Sequence, residues 1–127
     1  MRWTDRIRAR SIGTLKLDIL IVRNPKMTFD QFLAHWRDRH GPLFSSQPIV
    51  KKTVRRYVQS RIVSNAPAGV FLAPFDGIAQ IWFDDANGFL EYIQSPNYNE
   101  IIRPDEARFT DPSRVQCMFS EETPIIG

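Results

Sequence analysis

The chain has 127 residues, 43% of them hydrophobic and 24% charged, a size and balance suited to one globular domain. Its formal net charge is +3, and no apolar run approaches the roughly 20 residues of a membrane-spanning helix, so no membrane partner is expected. A single cysteine, Cys117, excludes an intrachain disulfide and a multi-cysteine metal site, which points to a reducing compartment and a cytoplasmic location.

The basic residues are unevenly spread. Arg2, Arg6, Arg8 and Arg10 crowd residues 1–14, which read as an arm without the apolar core of a secretory signal. Lys51, Lys52, Arg55, Arg56 and Arg61 cluster further on. Aspartate and glutamate supply 14 opposing charges, and the strands lack the aromatic signatures with which a sheet stacks on RNA bases, so nucleic acid is not expected as a partner.

Residues 15–22 alternate as a first strand, with Leu15, Leu17, Ile19 and Ile21 on one face and Lys16, Asp18, Leu20 and Val22 on the other. After a break at Asn24 and Pro25, Thr28 stands where a helix N-cap belongs. The helix it opens runs to about His40, with Phe29, Phe32, Leu33 and Trp36 as an apolar stripe that His40 extends. Gly41 and Pro42 are expected to end it, the glycine as a left-handed cap. A short turn or helix follows at 48–52, then a second strand at 55–63 with Tyr57, Gln59 and Arg61 on one face. The connection 65–76 is apolar for a loop, through Val70, Phe71, Leu72 and Phe75, and is expected to cover something. Residues 77–84 form a third strand, 86–94 a second helix with Phe89, Leu90 and Ile93 inward, and 114–120 a fourth strand after a stretch with room for a helical turn. Within that strand Cys117 is expected to be a buried small hydrophobe.

The order β-α-β-β-α-β predicts an α+β, ferredoxin-like domain at 15–120, with an arm at 1–14 and a tail at 121–127. Right-handed crossovers put both helices on one sheet face. The other face carries too many apolar residues to meet water, which predicts a homodimer joined through the sheet faces. The arm and Pro124-Ile125-Ile126 are candidates to cross onto the partner.

Met27-Thr28, Phe32, Trp36, His40-Gly41-Pro42-Leu43, Arg56-Tyr57-Val58-Gln59, the run Asp76-Gly77-Ile78-Ala79-Gln80-Ile81-Trp82-Phe83 and Asp105-Glu106-Ala107-Arg108-Phe109 follow one another in an order that resembles the EthD-like family. The resemblance implies a four-stranded antiparallel sheet closing a dimeric α/β barrel, with a ligand cavity between sheet and helices. Related families include cyclases, isomerases, dehydratases and oxygenases, so the fold alone leaves the reaction open.

His40 leads the candidates for chemistry. It extends the inward stripe and stands at the expected helix C-terminus, whose dipole would raise its pKa and suit it to acid or base work. A capping role at the Gly41-Pro42 turn competes with that reading. Asp18, a carboxylate in an apolar strand, needs either a wet cavity or a partner such as Lys16. Tyr57 can join His40 and Asp18 as a catalytic group, and Trp36, Phe32, Gln59, Gln80, Trp82 and Phe83 can line the substrate pocket or serve as core. His35 falls near the polar face and is expected to be exposed; five residues from His40, it lies roughly 140° round an α-helix, too far to share a metal. No metal and no cofactor are expected, although a lone histidine leaves haem open. The combined expectation is a lyase or isomerase working by proton transfer on an aromatic, polyketide-like or lactone substrate. A non-catalytic carrier of hydrophobic ligands is the alternative, and a monooxygenase a further one.

Overall fold

The computed structural model describes residues 14–63 and 65–127; all but the last residue of the arm expected at 1–14 lies outside them. In chain order come β1 (Leu15–Ile21), α1 (Phe29–Ala34), a wide helical turn (His35–His40), α2 (Gly41–Ser46), α3 (Pro48–Thr53), β2 (Val54–Arg61), β3 (Gly77–Phe83), α4 (Ala86–Ile93), a second wide turn (Tyr98–Ile102), α5 (Arg103–Phe109) and β4 (Gln116–Ser120). The strands form one four-stranded sheet in the order β2-β3-β1-β4, and each neighbouring pair is antiparallel. This is the split β-α-β of a ferredoxin-like α+β domain.

The entry to α1 is set locally. Thr28 Oγ1 accepts from the Gln31 backbone N–H at 3.1 Å, and Gln31 Oε1 accepts from the Thr28 N–H at 2.9 Å, a reciprocal capping box. The exit departs from expectation, because the helix does not stop at Gly41-Pro42. Gly41 has a right-handed φ of −54°, and its N–H bonds back to the Trp36 carbonyl, five residues earlier. A proline inside an α-helix clashes with the carbonyl four residues before it. Widening the preceding turn lets the chain pass Pro42, which then sits in the first turn of α2, where its missing N–H is not needed. Pro104 repeats the device: the Arg103 N–H reaches the Tyr98 carbonyl, and α5 follows.

Register decides the two faces of the sheet. Leu15, Leu17, Ile19 and Ile21 pair with Phe83, Ile81, Ala79 and Gly77, and this face meets the helices in a core of Phe44, Phe83, Phe89, Leu90, Tyr92 and Ile102. A second cluster gathers Ile21, Phe32, Trp36, Ala79 and Phe109. Gly77 lets the Trp36 indole lie on β3, since a Cβ there would stand 2.7 Å from Trp36 Cζ3. The outer face carries Lys16, Asp18 and Leu20 beside Ile78, Gln80, Trp82, Arg56, Val58 and Met118.

Two expectations about the periphery need correction. The loop between β2 and β3 lines a cleft with Leu72 and Phe75 at the Leu20–Ile78 end of the sheet, yet Val70, Phe71 and Leu72 are largely exposed. Cys117 is exposed, because β4 is an edge strand. The mid-chain basic cluster is dispersed over the surface: Lys52 pairs with Glu91, Arg55 with Asp84 at 2.7 Å, and Arg56 lies over the Trp82 ring. Among the described residues no helix is long and apolar enough to cross a membrane.

Candidate functional site

Between the helices and the inner sheet face lies a cavity of about 370 Å³. Ile19, Ile21, Ala79 and Ile81 form its floor, and His40, Tyr57, Tyr92, Tyr98, Glu106 and Arg103 bring polar groups to otherwise apolar walls. Trp36 and Phe44 complete the side nearest β2.

The wide turn at His35–His40 sets the central feature. Bonding from residue i to i+5 stacks residues five apart, so His35 and His40 come to one side of the helix instead of diverging as they would at 3.6 residues per turn. Both reach the same carboxylate. His35 Nε2 lies 3.0 Å from Asp105 Oδ1, and His40 Nδ1 lies 2.8 Å from Asp105 Oδ2. Phe109, one turn along α5 from Asp105, packs under both rings at centroid distances of 5.2 and 4.8 Å. The His35 side chain is therefore only 14% exposed, contrary to its expected place on the polar face.

Burial pushes the His40 pKa down, outweighing the Asp105 hydrogen bond and charge that favour the imidazolium. This reverses the sequence expectation: the helix continues through Gly41, so no free C-terminus faces the ring. Burial would raise the Asp105 carboxyl, but hydrogen bonds from His40 and His35 outweigh it and hold its pKa below the usual value. The pair thus rests as carboxylate and neutral imidazole. A carboxylate only accepts, so Nδ1 of His40 carries the proton and Nε2 keeps a lone pair for a ligand.

Glu106, adjacent to Asp105, turns to the cavity with Arg103, Ala107 and Thr110 on one face of α5. Burial raises its pKa from 4.5 to about 7, against the opposing effect of Arg103. Burial also pushes the Tyr57 hydroxyl up to about 12, and Tyr92 and Tyr98 likewise upward, so all three phenols stay protonated at neutral pH.

Glu106 should leave a mark on stability. A carboxyl whose folded pKa exceeds its unfolded value stabilises fully below pH 4.5 and loses that contribution as pH rises through about 7. His40, with a depressed pKa, has the opposite sign and loses stability as pH falls below 6.5. Denaturant unfolding of Glu106→Gln should therefore lack a decline on the order of 2–3 kcal/mol that the parent shows between pH 4.5 and 7.5. Parallel pH profiles for the two proteins would overturn the assignment.

Of the residues singled out from sequence, His40, Tyr57 and Trp36 line the cavity. Gln59 stands behind them, donating to the Trp36 carbonyl and to Tyr57 Oη, each at 2.9 Å. Asp18, Gln80 and Trp82 do not join them: they occupy the outer sheet face, since Asp18 pairs with Gln80 and Lys16 with Trp82 in register. There Lys16 Nζ lies 3.5 Å from Asp18 Oδ1, and the Trp82 indole donates to Glu122 of the tail. Phe32 and Phe83 are fully buried core, the first between Trp36 and Phe109, the second against Phe89 and Tyr92. Sequence reasoning missed Asp105 and Glu106 as site residues. The available signal was the pair of acids between Ile102 and Phe109, two inward positions seven apart on a helix.

The fold and cavity define a ferredoxin-like α+β protein with a mostly apolar cavity between its sheet and helices. The EthD domain model matches residues 24–113, more than half of the sequence, and the chain belongs to the EthD family. Solved structures agree in fold. An EthD family protein from Bacillus halodurans C-125 is 22% identical with a TM-score of 0.66, over 87% of this chain and 99% of its own. An EthD-like protein from Ralstonia eutropha JMP134 is 21% identical with a TM-score of 0.64, over 86% and 91%. A dimeric ferredoxin-like protein of unknown function from Thermobifida fusca YX is 17% identical with a TM-score of 0.60, over 85% and 90%. Among curated proteins the sequence has no match.

Proposed function

We propose that the chain is a cofactor-independent enzyme that moves a proton on a small, largely apolar carbonyl or phenolic molecule, as an isomerase, cyclase or dehydratase does. One observation carries this reading: a mostly apolar cavity holds both a neutral imidazole braced by a buried carboxylate and a separate carboxyl poised near neutrality. His40 Nε2 takes a proton from carbon, and the electron pair moves onto the adjacent carbonyl. Protonated Glu106 returns a proton, to a second carbon in isomerisation or to a leaving hydroxyl in dehydration. The single cysteine accords with a cytoplasmic setting for this chemistry.

Hydrogen exchange at carbon reports this proton transfer whatever the final product is. Aryl ketones, cyclic 1,3-diketones and lactones are incubated with the protein in D2O, and exchange at their acidic carbons is followed by proton NMR. At least one class should exchange faster than in buffer, and Ala107→Trp, which fills the mouth of the cavity from an exposed position, should remove the acceleration. Tight binding without exchange would replace the enzyme with a carrier of hydrophobic ligands. No binding and no exchange would overturn both.

We further propose a homodimer through the outer sheet faces. No helix among the described residues covers that face, and Leu20, Val58, Ile78 and Met118 make it too apolar to meet water alone. The dimeric description of the Thermobifida relative accords with this. Sedimentation at micromolar concentration should give about twice the 14.8 kDa chain mass, and a stable monomer would overturn the proposal.

A further inference from the structure

We infer that Tyr57 donates its hydroxyl proton to the oxygen of a neutral carbonyl compound in the cavity, and that Gln59 is the positioning residue that turns the proton there. The inference deepens the reading of the cavity as a ligand site and rests on it.

The Trp36 carbonyl oxygen lies in the wide turn, where it accepts the Gly41 N–H and also Gln59 Nε2 at 2.9 Å. A backbone carbonyl only accepts, so the Gln59 group facing it must be the amide nitrogen, and the orientation of the side chain is fixed. The same nitrogen lies 2.9 Å from Tyr57 Oη. Its second hydrogen therefore goes to Tyr57, whose oxygen is the acceptor in that bond. The phenol's own hydrogen must therefore point away from Gln59. Tyr57 lines the cavity, with its ring packed on Phe44 at 4.4 Å between centroids, so the cavity is where the proton is offered. With a pKa pushed up to about 12 by burial, the hydroxyl remains a donor throughout the neutral range.

The ligand class follows from the other walls. An anionic ligand would bring its charge beside Glu106, with Arg103 as the permanently charged counterweight in the lining. A neutral ketone or lactone meets the apolar floor without that cost. Its oxygen satisfies Tyr57, and it gains most from the bond when negative charge develops there during proton removal at the neighbouring carbon.

Acetophenone and ethylbenzene test this, since they share a shape and differ in the oxygen. Dissociation constants are measured by ligand-observed NMR at pH 8 for the parent, Tyr57→Phe and Gln59→Glu. The parent should prefer the ketone by about five- to tenfold. Tyr57→Phe should lose this preference by removing the donor. Gln59→Glu should lose it by accepting the Tyr57 proton itself, although the new side chain has almost the same shape. Ethylbenzene affinity should stay within about twofold in both variants, which separates lost orientation from a damaged fold. A ketone preference that survives in Gln59→Glu, or its absence from the parent, would overturn the inference. Carbon-bound deuterium exchange is read in the same samples: exchange without the preference sinks this inference alone, and the preference without exchange sinks the enzymatic reading alone.

Discussion

Replacing Asp105 with alanine should lower the melting temperature by roughly 10–15 °C, the largest loss of stability expected from a single polar side chain in this domain. The Asp105 side chain is 7% exposed and accepts from both His35 and His40, and Arg108 adds a contact at 3.2 Å. Alanine leaves two ring N–H groups facing a void. Each buried donor without a partner costs about 1–3 kcal/mol, so a total of about 3 kcal/mol is expected. At this chain length 1 kcal/mol moves the midpoint by roughly 3–5 °C. Asparagine keeps one acceptor oxygen, so Asp105→Asn should lose about half as much and still fold. A midpoint within about 2 °C of the parent for the alanine variant, read by circular dichroism, would show that the network does not support the helices.

His40→Ala should reduce carbon-bound deuterium exchange by about 10²- to 10⁴-fold, the usual contribution of a positioned general base. Asp105 keeps His35 and Arg108 in this variant, so the fold should survive with a modest loss of stability. His35→Ala is the control. It removes an equivalent contact to Asp105 but lies outside the cavity lining, so exchange should fall by no more than about threefold. Millimolar imidazole should partly restore His40→Ala by filling the space left at Nε2. Equal losses in the two histidine variants would mean that both act only by holding Asp105 in place.

The strands are legible in the sequence because alternation is a strong signal, and their bounds shift by only one or two residues. Alternation also sorts residues into two faces, but it does not say which face the helices take when both are apolar. Leu15, Leu17, Ile19 and Ile21 oppose a set containing Leu20 and Val22, so the pattern allows Asp18, Gln80 and Trp82 to be grouped with His40 although the sheet separates them. The helical half is misread for a different reason. Pro42 reads as a breaker, but there, and again before Pro104, the chain widens one turn and continues. A fixed step of 100° per residue then puts His35 on the wrong side of its helix and leaves the inward acids of α5 unassigned. Trp36 and His40 are recoverable because successive steps of four residues from Phe32 keep both on the inward stripe, and Tyr57 because strand alternation puts it on the inner sheet face with Ile81.

That wide turn makes the site a matter of phase. Deleting one residue between His35 and His40, such as Arg37, would restore ordinary i→i+4 spacing and could leave a longer, more regular helix. Every side chain on one flank would then be rotated about 100° against the other. His35 and His40 would still share a flank at four residues apart, but the chain would again meet the Pro42 ring against a carbonyl, and Phe44 and Trp36 could not both keep their places in the core. The extra residue is thus a spacer in angle: it carries one continuous rod past Pro42 and keeps Phe32 before the turn and Phe44 after it both turned inward, without a hinge.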